Sequence, residues 1–600
     1  MIATGLFAEL KRRNVLRAGA FYVATAWVIV QIATQVFPFY DIPDWAVRWV
    51  IAALAIGFPA FIAFAWFYEV TPTGLKRESE VAPGDSISHH TGKKLDRWII
   101  GVLALAVVLL LTNQFVLRRD ATSVAGAQAI ADKLAKIPAK SIAVLPLANA
   151  SGDADQLYFS DGLSEDLINA LSQFDGLKVI SRNSAFQFRD SKDDAQTIGA
   201  KLGVAHLLEG SVRRLGDTVR ITAQLVNAGD GSTLWSQHYD RPYQDLFALQ
   251  DEITRAVAGA LKARLLAGAA AGAQGDHPPS GNLAAYNAYL QGRFYDARDT
   301  QSDSRKAIDA YATATRLDPR YARAWAAMSY RWTWLAGAFL AGAPAQQAYA
   351  QARSAADTAL ALAPDLAAAH RARGLLFLNA DLNWTAAEAE YRRALQLAPT
   401  DAGAQFSLGN LLAILGRPAQ AVDLTRQALA ADPLSANTHF WIAGYLLVLG
   451  RLDEAEQAIG KAIELQPGAA SYHETLADIE IQRGDARAAL AAARQEPPGP
   501  WHDVAVTLAL QIGGDRAAAD AALKTLIEKY AHLSAYQIAE VYALRKDPDA
   551  MFAWLDRAWA NRDPGVGYLL IDPFVLRYRD DPRFAAYCRK VGLPVPGAAA

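Results

Sequence analysis

Five acidic residues crowd the segment SGDADQLYFSDGLSEDLINALSQF: Asp153, Asp155, Asp161, Glu165 and Asp166. Carboxylates this close together are the raw material of a divalent-cation site. Turn and cap chemistry accounts for them more simply. Asp153 and Asp155 follow the turn residue Gly152, Asp161 or Ser164 can cap the helix that opens here, and Glu165 and Asp166 suit the positive end of its dipole. His89 and His90 stand in a Ser/Gly-flanked loop, as a solvated pair. Cys588 is the single cysteine, which excludes an intramolecular disulfide or a zinc site built from several thiolates, and it reads as a half-buried helix residue. Phosphate-cradle, metalloprotease and nucleophile-elbow spacings do not occur in a credible setting. Neither catalytic, metal-binding nor cofactor-binding residues are therefore assigned. With 59 basic and 61 acidic side chains, a net charge of −2 supplies no global field for nucleic acid.

Better candidates are side chains that a helical repeat would align. Pro319, Pro364, Pro399, Pro433 and Pro467 are spaced by 45, 35, 34 and 34 residues. Ala307, Tyr311 and Ala314 precede Pro319 at the same offsets at which Ala387, Tyr391 and Ala394 precede Pro399, and Gly416, Gly450 and Gly484 recur with the same period. A period near 34 with small residues where paired helices close is that of tetratricopeptide repeats. The 45-residue unit carries an insertion near Trp334–Gln347, EPPGP interrupts the array after Gly484, Trp501–Tyr530 reads as a further helix pair, and the tail reads as a degenerate repeat and a cap. First helices line the concave face of such a superhelix, which places Tyr330, Trp334, Arg371, Asn379, Phe406, Asn410, Phe440 and Asp478 inward as candidate protein-binding residues. Phe406 and Phe440 can equally pack between repeats, and Trp325 falls at a core position.

Upstream of the repeats, Ser141 to about Leu265 alternates strand and helix signals. Ile142–Leu145 reads as a strand, Leu163–Phe174 as a helix, Leu177–Arg182 as a strand and Asp193–Leu202 as a helix. Three antiparallel strands punctuated by Leu215-Gly216-Asp217 and Ala228–Gly231 follow, then a helix over Gln244–Leu265. The blocks AVLPLANASGD, YFSDGLSEDLINALS, LEGSVRRLGDTVRITAQLVNAGDGSTLWSQHYDR and FALQDEIT resemble the domain similar to the TolB amino-terminal domain. That resemblance implies a βαβαβββα module without a catalytic centre, used in assembly or recognition and found in bacteria beside tetratricopeptide repeats. Some relatives add an adenylate cyclase domain, for which this chain has no unassigned segment of sufficient size.

The N-terminal region explains a hydrophobic content of 52%. Ala18–Tyr40, Trp49–Tyr68 and Trp98–Leu117 lack charged residues and are long enough to span a bilayer, with aromatic residues at their ends and Pro59 as a kink. FAELKRRNVLRAGAFYVATAWVIVQIA and FAWFYEVTPTGLKRE also resemble the membrane region that commonly precedes the α/β module in related bacterial proteins. Lys and Arg in the tail and in the 69–97 loop put both in the cytoplasm, and three spans then carry the rest of the chain to the periplasm.

The sequence thus describes a multi-domain chain: transmembrane helices, a mixed-sheet α/β domain and an all-α solenoid. The divisions are a tail at 1–16, a membrane region at 17–117, a stalk at 118–139, the α/β domain at 140–265, a linker at 266–282 and the solenoid at 283–595. The expected function is a non-enzymatic scaffold at the bacterial inner membrane, with protein or peptide partners, the lipid bilayer, and no nucleic acid. A receptor relaying a periplasmic signal to a cytoplasmic partner is the alternative.

Overall fold

The structure is a computed structural model that describes residues 15–36, 44–71, 74–77, 133–134, 136–261, 264–265, 277–298, 300–340 and 342–597. It divides into two compact units, Met1–Ala129 and Ile130–Ala600. The third apolar run at 98–117, His89 and His90, and most of the 69–97 loop, the 118–139 stalk and the 266–282 linker lie outside the described residues.

In the first unit α1 (Val15–Val36) packs on α2 (Asp44–Phe67), with the Tyr22 hydroxyl donating to Leu54 O at 2.8 Å. Gly57 leaves room for that phenol. Trp49, Ile56 and Phe64 are 68, 76 and 49% exposed, an apolar surface that water does not favour. Among the described residues one helix, Ala46–Phe67, is long and apolar enough to cross a membrane, while the apolar core of α1 is the shorter Gly19–Val30. A two-stranded hairpin, β1 (Tyr68–Thr71) and β2 (Gly74–Arg77), occupies the start of the expected loop.

The second unit opens with the α/β module. Its elements are β3 (Ser141–Val144), β4 (Ala148–Asn149), α3 (Leu157–Leu171), β5 (Phe174–Asp175), β6 (Lys178–Val179), α4 (Arg182–Ala185), α5 (Ala195–Leu202), β7 (His206–Leu215), β8 (Thr218–Asn227), β9 (Thr233–Pro242), α6 (Leu246–Ala260) and β10 (Arg264–Leu265). The main sheet runs β6-β3-β7-β8-β9, with β3 parallel to both neighbours and the last three strands antiparallel. Alternate residues Val219, Ile221, Ala223 and Leu225 of β8 face the core, as a half-buried antiparallel strand requires.

Three local expectations need correction. Asp161 and Ser164 stand inside α3, because Leu157 and Phe159 extend the apolar periodicity back to a 3-10 turn at Ala154–Gln156. Only Lys178–Val179 of the Leu177–Arg182 run is strand, and Arg182 already opens α4. The last helix stops at Ala260, and Arg264–Leu265 pairs with β5 instead of continuing it.

The solenoid comprises eight helix pairs. They are α7 (Leu283–Asp296) with α8 (Gln301–Leu317), α9 (Ala322–Phe339) with α10 (Gly342–Leu362), α11 (Ala367–Asn379) with α12 (Trp384–Leu397), and α13 (Ala402–Ile414) with α14 (Pro418–Ala431). α15 (Ala436–Val448) with α16 (Leu452–Leu465), α17 (Tyr472–Arg483) with α18 (Ala486–Ala493), α19 (Pro500–Ile512) with α20 (Arg516–Tyr530), and α21 (Ala535–Leu544) with α22 (Pro548–Asn561) follow. The insertion lengthens α9 and α10 to 18 and 21 residues. Within a pair, closure depends on small residues on the first helix. A Cβ on Gly374 would meet the Tyr391 ring at 2.6 Å, and Gly292 accommodates Tyr311 in the same way. Both tyrosines are fully buried.

After α22, two 3-10 segments, Pro564–Ile571 and Val575–Tyr578, lead to α23 (Pro582–Val591). The first of them turns back onto the solenoid: Leu570 packs against Gly416, and Tyr568 lies 5.1 Å from the Trp441 ring. Cys588 is fully buried in the cap, and burial pushes its thiol up to about 11.

Candidate functional site: a channel closed by the α/β module

Two contacts between distant parts of the chain create the site. At the first, α3 meets α7. Tyr286 is fully buried and donates its hydroxyl to Asp166, while Gln250 Nε2 donates to Asp166 at 3.0 Å and to the Tyr286 hydroxyl at 2.9 Å. Burial, reinforced by Asp166, holds the Tyr286 phenol well above its usual value, so it remains a donor. Arg293 pairs with Glu165 and reaches Asp166 at 3.6 Å, and Arg182 reaches Glu165 at 3.3 Å. Burial lowers Arg293 to about 10, which still leaves it cationic at neutral pH.

At the second contact, the short helix α4 grips the turn after α14. Ser184 Oγ donates to Asp432 Oδ1 at 2.5 Å and accepts from Leu434 N at 2.9 Å, and Gln187 Nε2 donates to Leu434 O at 2.9 Å. Ser181 N donates to Ala431 O at 2.8 Å. Ser184 is fully buried, so these hydrogen bonds satisfy a hydroxyl that water does not reach.

Between the two contacts lies a cavity of about 2530 Å³, walled by α3 and α4, by the first helices of successive repeats, and by the C-terminal segment around Tyr568. Tyr330, Trp334, Arg371, Asn379, Phe406, Asn410 and Phe440 all line it, so the repeat register brings seven of the eight expected residues together. Trp334 is covered by Arg331, 4.7 Å from its ring, and Phe440 stacks on Tyr472 at 5.0 Å. Phe440 thus also packs between repeats. Asn410 Nδ2 donates to the buried Tyr445 hydroxyl at 3.1 Å. Trp325 has a structural contact, donating to Pro319 O at 3.0 Å.

Asp478 is absent from that lining. It belongs with Glu474, Glu540 and Asp572: burial holds all four carboxyls above their usual range, and repulsion from the others adds to it at Glu474, Asp478 and Glu540. The register argument placed Asp478 on the inner face of α17 but had no means of including Asp572, which arrives from the returning C-terminal segment.

Sequence reasoning missed Glu165, Arg182, Arg293 and Tyr568 as channel walls. Glu165 and Asp166 were legible as helix charges, yet their partner Arg293 is more than 120 residues away. The acidic segment that could suggest a cation site is otherwise engaged: Asp161 pairs with Arg189 at 2.5 Å, and Asp153 Oδ1 accepts from Asp155 N at 2.9 Å.

Comparison with known proteins identifies the repeats. A tetratricopeptide-repeat family model matches residues 380–436, 406–470 and 442–500. The α/β module, at residues 138–256, matches a model described as the second domain of a HilA/YgeH-like transcriptional regulator, a different description from the TolB-like resemblance. The chain is 48% identical over 134 residues to a protein named putative adenylate cyclase 3 from Rhizobium meliloti (strain 1021), covering 22% of this chain and 23% of that protein. It therefore spans under a quarter of the curated relative it matches.

Similar solved structures include PilW, a type IV pilus biogenesis factor, at 20% identity over 36% of this chain and 92% of that one, with a TM-score of 0.30. YrrB, a repeat protein described as having an unusual peptide-binding site, matches at 18% identity over 36% and 99%, with a TM-score of 0.26. A tetratricopeptide repeat protein from Parabacteroides merdae ATCC 43184 matches at 16% identity over 44% and 100%, with a TM-score of 0.32.

Proposed function

We propose that this protein is a membrane-anchored scaffold that binds a protein or peptide segment in the channel between the solenoid and the α/β module. The supporting observation is the convergence of Tyr330, Trp334, Arg371, Asn379, Phe406 and Asn410 on one cavity of about 2530 Å³, well above the roughly 300–1,000 Å³ of small-molecule sites. Aromatic faces beside Arg and Asn donors and acceptors are the composition of protein-recognition hot spots. No reaction is proposed. The resemblance of the module to the TolB amino-terminal-like domain supports an assembly role.

The apolar surface of α2 supports membrane attachment, and the Lys/Arg distribution supports display of the second unit in the periplasm. A photo-crosslinking amino acid placed in the full-length protein at Phe406 or Asn410 should trap one specific partner in cells, whereas the same group at the exposed, outward Arg392 should not. Equal yields from both faces would refute the channel as the site. Reporter fusions near Ser86 and after Ala600 test the membrane reading. A cytoplasmic signal from both would overturn periplasmic display.

A further inference from the structure

After α22 the chain returns to its own solenoid. The 3-10 segment Pro564–Ile571 runs back onto α13 and α15, the first helices of two middle repeats. Val566, Gly567 and Tyr568 line the channel, and Leu569, Leu570 and Ile571 are buried beside them. Leu570 packs against Gly416 at the end of α13, and the Tyr568 ring lies 5.1 Å from that of Trp441 on α15. Ile571 joins the apolar cluster of Leu408, Leu411, Ile442 and Tyr445, while Ile414 of α13 joins the cluster that holds Leu569 and Leu570. First helices supply the surface on which an extended segment lies in such arrays. Here four residues of the same chain, Tyr568-Leu569-Leu570-Ile571, already lie on it.

The two ends of this strap are tied differently from its middle. At its start Asp563 accepts from Tyr536 N at 3.0 Å and from Gly565 N at 2.9 Å. At its end Asp572 accepts from the Tyr536 hydroxyl at 3.0 Å, and the Tyr578 hydroxyl donates to Ala543 O at 2.9 Å. Tyr536 and Ala543 both belong to α21, so one helix holds both ends. Among the described residues no hydrogen bond joins Gly567–Ile571 to α13 or α15. The middle therefore rests on apolar contact alone. A span tied at both ends and held so in the middle can bow outward without unfolding the cap, and the surface it uncovers is one that apolar side chains can cover again.

We propose that Tyr568–Ile571 is a self-ligand, seated on α13 and α15 until a partner segment of the same chemistry, an aromatic residue followed by aliphatic ones, takes its place. This inference rests on the channel being the partner site. Only molecules with the strap lifted bind, so the apparent affinity for a partner is reduced by the fraction that is open.

The probe is a fluorescent, acetylated and amidated peptide of residues 564–574, added to the full-length protein in mild detergent. Leu570→Ser, which loosens the strap, should tighten its binding about tenfold or more over the wild type, and a peptide with alanine in place of Tyr568 and Leu570 should lose that gain. A second variant controls for misfolding. A Cβ built at Gly416 lies 3.5 Å from Leu570 Cβ, within disulfide spacing, and Cys588 is fully buried, so Gly416→Cys with Leu570→Cys gives a strap that can be locked. The oxidised protein should not bind the peptide and the reduced one should, with the reduced form of the same molecule serving as the control for the positive φ at residue 416. Absence of binding to every form, or binding indifferent to the lock, would overturn the self-ligand. Loss of the partner trapped at Phe406 on Leu570→Ser would also overturn it, by showing the strap to be a fixed wall. Peptide exchange without any partner trapped at Phe406 would overturn the channel reading instead, and with it the partner's place in this proposal.

Discussion

Replacing Glu474 by Gln should make the protein more stable at pH 8 and less sensitive to pH. Glu474 and Asp478 lie one turn apart on α17, Glu540 comes from α21, and Asp572 from the returning C-terminal segment. The Tyr536 hydroxyl donates to Asp572 at 3.0 Å, and no cationic group figures among the charges that act on the four carboxyls. Glu496 adds a further negative charge beside Glu474 and itself accepts from the backbone N–H groups of Ser471, His473 and Glu474 at 2.6, 3.0 and 3.1 Å. Burial first, then Glu496, pushes Glu474 up to about 8 from an ordinary 4.5.

The folded state therefore keeps a proton that the unfolded chain releases, so the stabilisation is complete below pH 4.5 and is lost as pH rises toward 8. At about 1.4 kcal/mol per pH unit for one proton, the loss over that interval is up to about 5 kcal/mol. The neutral amide removes it. Thermal unfolding of the full-length wild type and Glu474→Gln, followed by tryptophan fluorescence at pH 5, 6.5 and 8, should show near-equal melting at pH 5 and a widening advantage for the variant above pH 6. An unchanged slope, or a variant that melts lower at pH 8, would refute the claim that this carboxyl is folded in its neutral form.

Three further outcomes follow from the packing. Gly374→Ala should lower stability by about 1–3 kcal/mol, because the added Cβ meets a fully buried Tyr391 ring; an unchanged urea midpoint would argue against a tight pair. Asp432→Ala should cost about 1–3 kcal/mol by leaving the Ser184 hydroxyl unsatisfied, and hydrogen exchange should rise at α4 and at the turn after α14 together; exchange at one alone would mean that they are not coupled. Arg293→Met leaves Glu165 with Arg182 alone and Asp166 with only the neutral donors Tyr286 and Gln250, and should cost about 1–3 kcal/mol, measured as loss of folded full-length protein against urea. Tolerance of that change would show that the pair is solvated.

Local patterns were readable and distant closures were not. The repeat was legible because each pair must place a small residue opposite a large one at a fixed offset, as Gly374 does for Tyr391, and such constraints recur with the period. The strands β7 to β9 were legible from alternation and turn glycines. The apolar run of α2 and its length announced a membrane-competent helix, whereas α1 reads longer in sequence than its apolar core. Nothing periodic marks Ser184, Asp432 or Asp572, since each acts across the fold. Asp478 shows the limit well: the register counted it among the inward positions, yet it lies off the cavity wall, in surroundings that depend on a segment nearly 100 residues downstream.

The grip of α4 on Asp432 also sets a length. Solenoids ordinarily change by gaining or losing whole repeats, since each unit touches only its neighbours. Here four helix pairs, from α7 through α14, lie between the two points at which the module holds the array. One repeat more or fewer between them would carry Asp432 away from Ser184, and one more or fewer beyond α15 would part Tyr568 from Trp441. The module acts as a gauge block: it fixes the span, and with it the bore, of the channel that a partner must fit.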